Sequence, residues 1–205
     1  MLETFPIETG RSLEFAFAKR RDDRAFSKWI RSAPAASNPK VQDAKELGTL
    51  AFRRWREAIT KQRVADCVED IKDFIDDSSE AEVSVLILVR APWLRGRNLV
   101  GLCLFRRTWC NNIYIDFLTK HPSLVGKRKN PIRGVGTALL YFITCVAAEI
   151  EADTVWGEAT QNSAKFYRKV FAKPEIKDLI FLGEEDYTAF RNRISADLQK
   201  ISNSK

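Results

Sequence analysis

"NPIRGVGTALLYF", residues 130–142, is the stretch on which the reading of this chain turns. Two glycines, Gly134 and Gly136, stand one residue apart, with Arg133 before them and a long apolar run after them. Glycines let the backbone approach a neighbour or a ligand closely, and a helix start offers unpaired amides and a positive dipole end to an anion. The same pattern serves a loop that turns tightly before a core helix. A Walker A loop, G-x-x-x-x-G-K-[S/T], is absent, and a dinucleotide fingerprint fails because Leu139 stands where its third glycine belongs.

Charge placement favours an anion. The 205 residues carry a net charge of +7, and between Phe117 and Ala148 there is no acidic residue. That interval holds Lys120, Lys127, Arg128, Lys129 and Arg133, so a basic loop leads straight into the glycines. A second basic group, Lys165, Arg168, Lys169 and Lys173, follows. Composition is globular, with 45% hydrophobic residues, 13 Phe and 5 Trp. The N-terminus lacks the pattern of a signal peptide and no apolar run has membrane-spanning length, which predicts a cytoplasmic protein with no membrane partner. Four cysteines without a C-x-x-C, and His121 as the single histidine, argue against a metal site or a disulfide framework.

The chain divides by texture. Residues 1–80 read as largely helical: a strand at 12–18, a helix at 22–33, a loop at 33–39, and an apolar face at helical spacing over 43–77 that one or two helices would carry. The first half of that long segment is basic and the second acidic, which opposes the dipole of a single helix. Residues 83–89, 98–105 and 112–119 read as three strands with short connections, an antiparallel meander. A helix over 136–151, a strand over 153–159, a helix over 162–172, a strand over 176–183 and a terminal helix over 184–200 follow. The expectation is one α/β domain of α+β type over 1–205, a mixed and mostly antiparallel sheet flanked by helices, with its ligand-binding core over 83–183.

Strand, basic loop, R-G-x-G-T-A-L-L and long helix together resemble the acetyl-CoA loop of the GCN5-related N-acetyltransferase (GNAT) family. Two further stretches support the resemblance. "FLTKHP" (117–122) resembles the family's L-x-V-x-P, and "QNSAKFYRKVF" (161–171) after the strand "TVWGEA" resembles its N-x-x-A-x-x-F-Y. The resemblance implies transfer of an acetyl or other acyl group from acetyl-CoA to a primary amine, small molecule or protein. It implies cofactor contacts at Leu118, Thr119, Lys120, Arg133, Gly134, Val135, Gly136, Thr137, Asn162 and Phe166. Tyr167 becomes the candidate acid for the leaving thiolate. The chain departs from the pattern in three places: a longer loop from Pro122 to Gly134, Pro131 three residues before Gly134, and Phe171-Ala172 where a glycine usually closes the motif.

Acyl transfer to an amine also needs a proton acceptor. Asp116, inside the apolar strand "IYIDFL", and Glu158, at the end of the next strand, are the candidates. A carboxylate in such a strand either works as a base of raised pKa or pairs with a basic side chain. His121, beside Pro122, reads as a loop residue. The acidic side chains Asp66, Glu69, Asp70, Asp73, Asp76 and Asp77 would attract a cationic acceptor if their helix walls the site. Two other classes stay open: a catalytically inactive acyl-CoA-binding regulatory module, and a basic nucleic-acid binder using "FRRWREAITKQR" (52–63). Trp55 falls on the apolar face of that stretch, so nucleic acid is not the expected partner. A homodimer is left open.

Overall fold

The computed structural model describes residues 4–7, 11–22, 26, 29, 38–77, 82–95, 98–125 and 132–203. Seven strands form one sheet in chain order: β1 (Thr4–Pro6), β2 (Ser12–Phe17), β3 (Val83–Arg90), β4 (Leu99–Arg107), β5 (Ile113–Lys120), β6 (Thr154–Glu158) and β7 (Leu179–Gly183). Every neighbouring pair is antiparallel except β5–β6. Five α-helices are described: α1 (Pro39–Thr60), α2 (Val68–Asp77), α3 (Val135–Glu149), α4 (Ala164–Phe171) and α5 (Glu184–Asn203). The mixed, mostly antiparallel sheet expected from the sequence is present. The part expected to be largely helical contributes β1 and β2 as well. The helix expected over 22–33 lies outside the described residues apart from Asp22, which ends a 3-10 turn over Arg20–Asp22, and Phe26 and Trp29, both helical and buried.

Side-chain alternation sorts the core into two layers. Val83, Val85, Ile87 and Val89 of β3 join Cys103, Ile113, Val155 and Ile180 on one face, against α3 and α5. Leu86 and Leu88, with Leu102 and Leu104, point to the other face, against Ala51 and Trp55 of α1. The central strands are covered on both sides, which is why "VSVLILV" reads as a continuous apolar run. Helix α3 is apolar nearly all round because it lies in the thickest part of the core.

The long helical segment is two helices. Gln62 takes a positive φ of 54° after α1, and Val64 bridges to Ser84 before α2 begins. At the start of α2, the Asp70 amide donates to Cys67 Sγ (3.3 Å) and the Asp66 amide to the Asp70 carboxylate (2.9 Å), a reciprocal cap. Burial pushes the Cys67 thiol up to about 11, so it is a neutral sulfur acceptor there. Glu69 and Asp70 thus stand at the positive end of a second helix. The opposition to a single helix dipole, expected above, disappears for that reason. Helix α1 begins at Pro39, earlier than residue 43, because Asn38 caps it: its side-chain oxygen accepts from the Lys40 amide at 3.0 Å, and Pro39 occupies the first helical position.

Candidate active site

Strands β5 and β6 pair at only three positions, Ile113 with Val155, Tyr114 with Trp156 and Ile115 with Gly157. Beyond them the strands part. A cleft of about 570 Å³ opens at this fork, between the end of β5, the first turns of α3 and α4, and the start of α1. It brings together Leu118, Thr119 and Lys120, the run Arg133–Thr137, Asn162 and Phe166, and Tyr167. Asp116 and Glu158 are not among its lining residues.

The glycines have distinct local tasks. Gly134 caps α3 with φ 81°, a left-handed conformation that suits glycine, and its carbonyl accepts from the Ala138 amide at 2.8 Å. The amides of Val135, Gly136 and Thr137, in the first turn of this 15-residue helix, have no intrahelical acceptor and stand at the cleft. Gly136 packs against Phe166 of α4: a Cβ there would lie 2.8 Å from the ring. It therefore sets the distance between two cleft-forming helices. Ala172 takes over the role of the missing glycine after α4, adopting φ 56° with the Lys173 amide donating to the Arg168 carbonyl at 3.1 Å.

Tyr167 is 4% exposed, with its ring parallel to Phe171 and edge-on to Phe166. Burial raises its phenol well above the usual range, so it stays protonated. Its hydroxyl makes no hydrogen bond with a described residue. Lys120 is half-buried, and desolvation holds its ammonium below the usual lysine range. It forms no ion pair with a described residue. Lys120 and the first-turn amides of α3 line the same cleft, and both are donors of the kind that an anion accepts from.

The two carboxylates have opposite surroundings. Register shifts within the β4–β5 pair so that Phe105 faces Ile115 and Leu104 faces Phe117, leaving Asp116 as the bulged residue. Its side chain is 1% exposed and lies between two guanidiniums: Arg106 Nε donates to one oxygen at 2.8 Å, and Arg54 of α1 donates to the other. Arg106 also pairs with Glu82 at 2.8 Å. Of the two explanations the sequence allowed for this acid, the structure shows the ion pair. Glu158 is exposed at the fork, one residue past the last β5–β6 pair, and makes no side-chain bond with a described residue.

Sequence reasoning missed Lys40 and Asp43, which line the cleft from the first turns of α1. Asp43 accepts a hydrogen bond from Asn162 Nδ2 at 2.6 Å, across the cleft mouth. The Asn38-Pro39 cap was the available signal, since it moves the helix start far enough to include them. His121 caps the turn at Pro122–Leu124, accepting from the Ser123 amide at 3.2 Å, and packs edge-on against Trp29. That is a loop role. Lys127, Arg128 and Lys129 lie outside the described residues. None of the described acidic side chains of α2, Glu69, Asp70 and Asp73, is among the residues that line the cleft. Among the described residues, no helix is long and apolar enough to cross a membrane.

Solved structures of similar fold include GNAT acetyltransferases. The chain is similar to a GNAT-family acetyltransferase from Staphylococcus aureus (11% identity, 84% of this chain and 99% of that one, TM-score 0.46). It is similar to the PaiA N-acetyltransferase of Thermoplasma acidophilum, solved with coenzyme A (15% identity, 83% and 98%, TM-score 0.46). A tandem GNAT protein of clavulanic acid biosynthesis matches 72% of the chain at 19% identity and TM-score 0.38, and the chain spans 36% of that protein's length. No family model and no curated protein sequence matches the chain.

Proposed function

We propose that this chain is a GNAT-type N-acyltransferase that moves an acetyl group from acetyl-CoA to a primary amine. One observation carries the reading: the free amides at the glycine-led start of α3 share a cleft with a protonated, buried tyrosine and with a β5 edge released by the fork. The amides of Val135–Thr137 and the Lys120 ammonium would hold the cofactor's phosphates. The freed backbone of Leu118–Lys120 would bond the amide-bearing arm, and Asn162 and Phe166 would line it. The thioester supplies the activated acyl group. As the amine nitrogen bonds to the acyl carbon and the carbon–sulfur bond breaks, Tyr167 donates a hydrogen bond to the departing sulfur. A phenol of raised pKa stabilises that charge better than it surrenders its proton outright. With Asp116 engaged by Arg54 and Arg106, Glu158 is the carboxylate at the fork able to take the amine's proton, directly or through water.

Calorimetry of CoA binding to the wild type and to Gly136→Glu tests the cradle. The variant should lose measurable affinity, because a carboxylate and its stem would enter the anion site and displace Phe166. Its melting curve reports the packing change separately. Wild-type affinity in the folded variant would reduce the loop to a turn. Thiol release from acetyl-CoA across a panel of amines tests transfer. Tight CoA binding without turnover of any amine would favour the acyl-CoA-binding module, a reading supported by Asp43 being the single carboxylate among the described residues that line the cleft.

A further inference from the structure

The sheet face under α1 changes character past β5. Over β3–β5 it is covered by α1, with Trp55 and Ala51 packed on Leu86, Leu88, Leu102 and Leu104. Over β6 and β7 the same face carries large apolar side chains that remain open. The register sets Tyr114, Trp156 and Phe181 side by side across β5, β6 and β7, and Glu158 beside Leu179 in the next row. Their alternate neighbours Val155, Ile180 and Leu182 are fully buried on the opposite face, so these five share the outer one. Leu179 is 52% exposed and Phe181 54%. Two open apolar residues this large on one short strand are worth an explanation.

One end of this shelf is rigid. Tyr114 and Trp156 have ring centroids 4.4 Å apart, and the Arg106 guanidinium lies over the Tyr114 ring at 5.1 Å. Arg106 is itself fixed by Asp116 and Glu82. Arg54 and Arg106 are matched by Asp116 and Glu82, whereas Glu158, paired in register with Leu179, forms no ion pair with a described residue. Burial, with a contribution from the Glu158 charge, raises the Tyr114 phenol, so the carboxylate and the ring sense each other. Glu158 also marks the fork, where the cleft begins.

We propose that Tyr114, Trp156, Phe181, Leu179 and Glu158 form the subsite for the amine acceptor, and that it takes a primary ammonium carried on an aromatic or bulky apolar body. The rings offer stacking area and negative π faces, and Glu158 offers the counter-charge at the end nearest the cleft. The proposal rests on the acyl-transfer reading for its purpose, but the binding it asserts is independent of CoA.

Heteronuclear NMR of the full chain without CoA tests it, with phenethylamine as the probe. Phenethyl alcohol serves as the uncharged comparison and ethylamine as the ringless one. Phenethylamine should shift the Trp156 indole signal, assigned with Trp156→Phe, in a saturable way, and both comparisons should bind more weakly. Phe181→Ser and Glu158→Gln alter exposed side chains and should leave the fold intact. Each should weaken phenethylamine about two- to tenfold, the range for exposed cation–π and ion-pair contacts. Equal binding of the alcohol, or no effect of either variant, overturns the proposal. So does sedimentation showing a dimer that Phe181→Ser dissociates, because a second copy would then occupy the face. A wild-type chain that binds no phenethylamine while CoA binding and thiol release are intact defeats this inference alone. Amine binding without CoA binding defeats the acyl-transfer reading alone.

Discussion

On the α3 flank of the β5–β6 fork, beside the side chains of Lys120, Asn162, Phe166 and Tyr167, the cleft presents much backbone: three helix amides, a left-handed glycine, and a strand edge that has lost its partner. On the α1 face of the sheet, beside the cleft and outside its lining, the groups are side chains: a carboxylate between two guanidiniums, then a row of rings beside an exposed acid. A site made of amides tolerates little change at its glycines and is indifferent to most neighbouring side chains. A site made of side chains can be rewritten residue by residue on a fixed sheet. On the two proposals above, cofactor recognition falls on the flank that sequence motifs report, and acceptor choice on the flank that they do not.

The sharpest way to break the comparison is Tyr167→Phe. It keeps the buried ring and removes a hydroxyl that bonds no described residue, so stability and CoA affinity should hold. Turnover should fall about 100- to 1,000-fold, the loss on removing one donor to developing charge. Steady-state kinetics beside a melting curve separates the outcomes: a large fall in melting temperature would mark a packing role, and unchanged kcat would remove Tyr167 from the chemistry.

The α1 flank is tested by Asp116→Ala, which leaves Arg54 and Arg106 without the anion between them. Breaking a buried pair costs about 3–5 kcal/mol. Here water reaches both guanidiniums, with side chains 54% and 26% exposed, so about 1–3 kcal/mol is expected from chemical denaturation. A stability change near zero would mean the cluster neither ties α1 to the bulge nor anchors the Tyr114 end of the shelf.

The smallest effect concerns Lys120. Burial depresses its folded-state pKa below the ordinary 10.5. Below the folded value both states hold the proton, and the cost of burying the charge is fully present. Between that value and 10.5 the unfolded chain binds more protons, so stability rises with pH. Lys120→Met should flatten this alkaline rise in melting temperature, and an unchanged profile would show that the ammonium is solvated after all.

Much of this was legible in the sequence for identifiable reasons. The meander, α3 and the β6-α4-β7-α5 order follow from periodicity and turn residues that act over a few positions. The cofactor-side residues share one cleft because they sit in three contiguous motifs. Three features were not legible. The end of the loop at 33–39 hid the Asn38 cap, and with it Lys40 and Asp43. Asp116 offered two explanations because its partners, Arg54 and Arg106, come from a distant helix and a neighbouring strand. The ring row depends on the register of three strands, which no single stretch of sequence contains. Gly136 was read for its approach to a ligand, whereas its nearest neighbour is the Phe166 ring.

The short β5–β6 pairing has a mechanical consequence. It is the parallel joint between two runs of strands that otherwise bond antiparallel to their sequence neighbours, so the sheet is two plates hinged along three residue pairs and braced by α3. A molecule lying in the fork and bonded to both plates acts as a rivet across that joint. Occupancy should then be felt as protection of amides along the seam against solvent exchange, as well as at the positions the molecule touches.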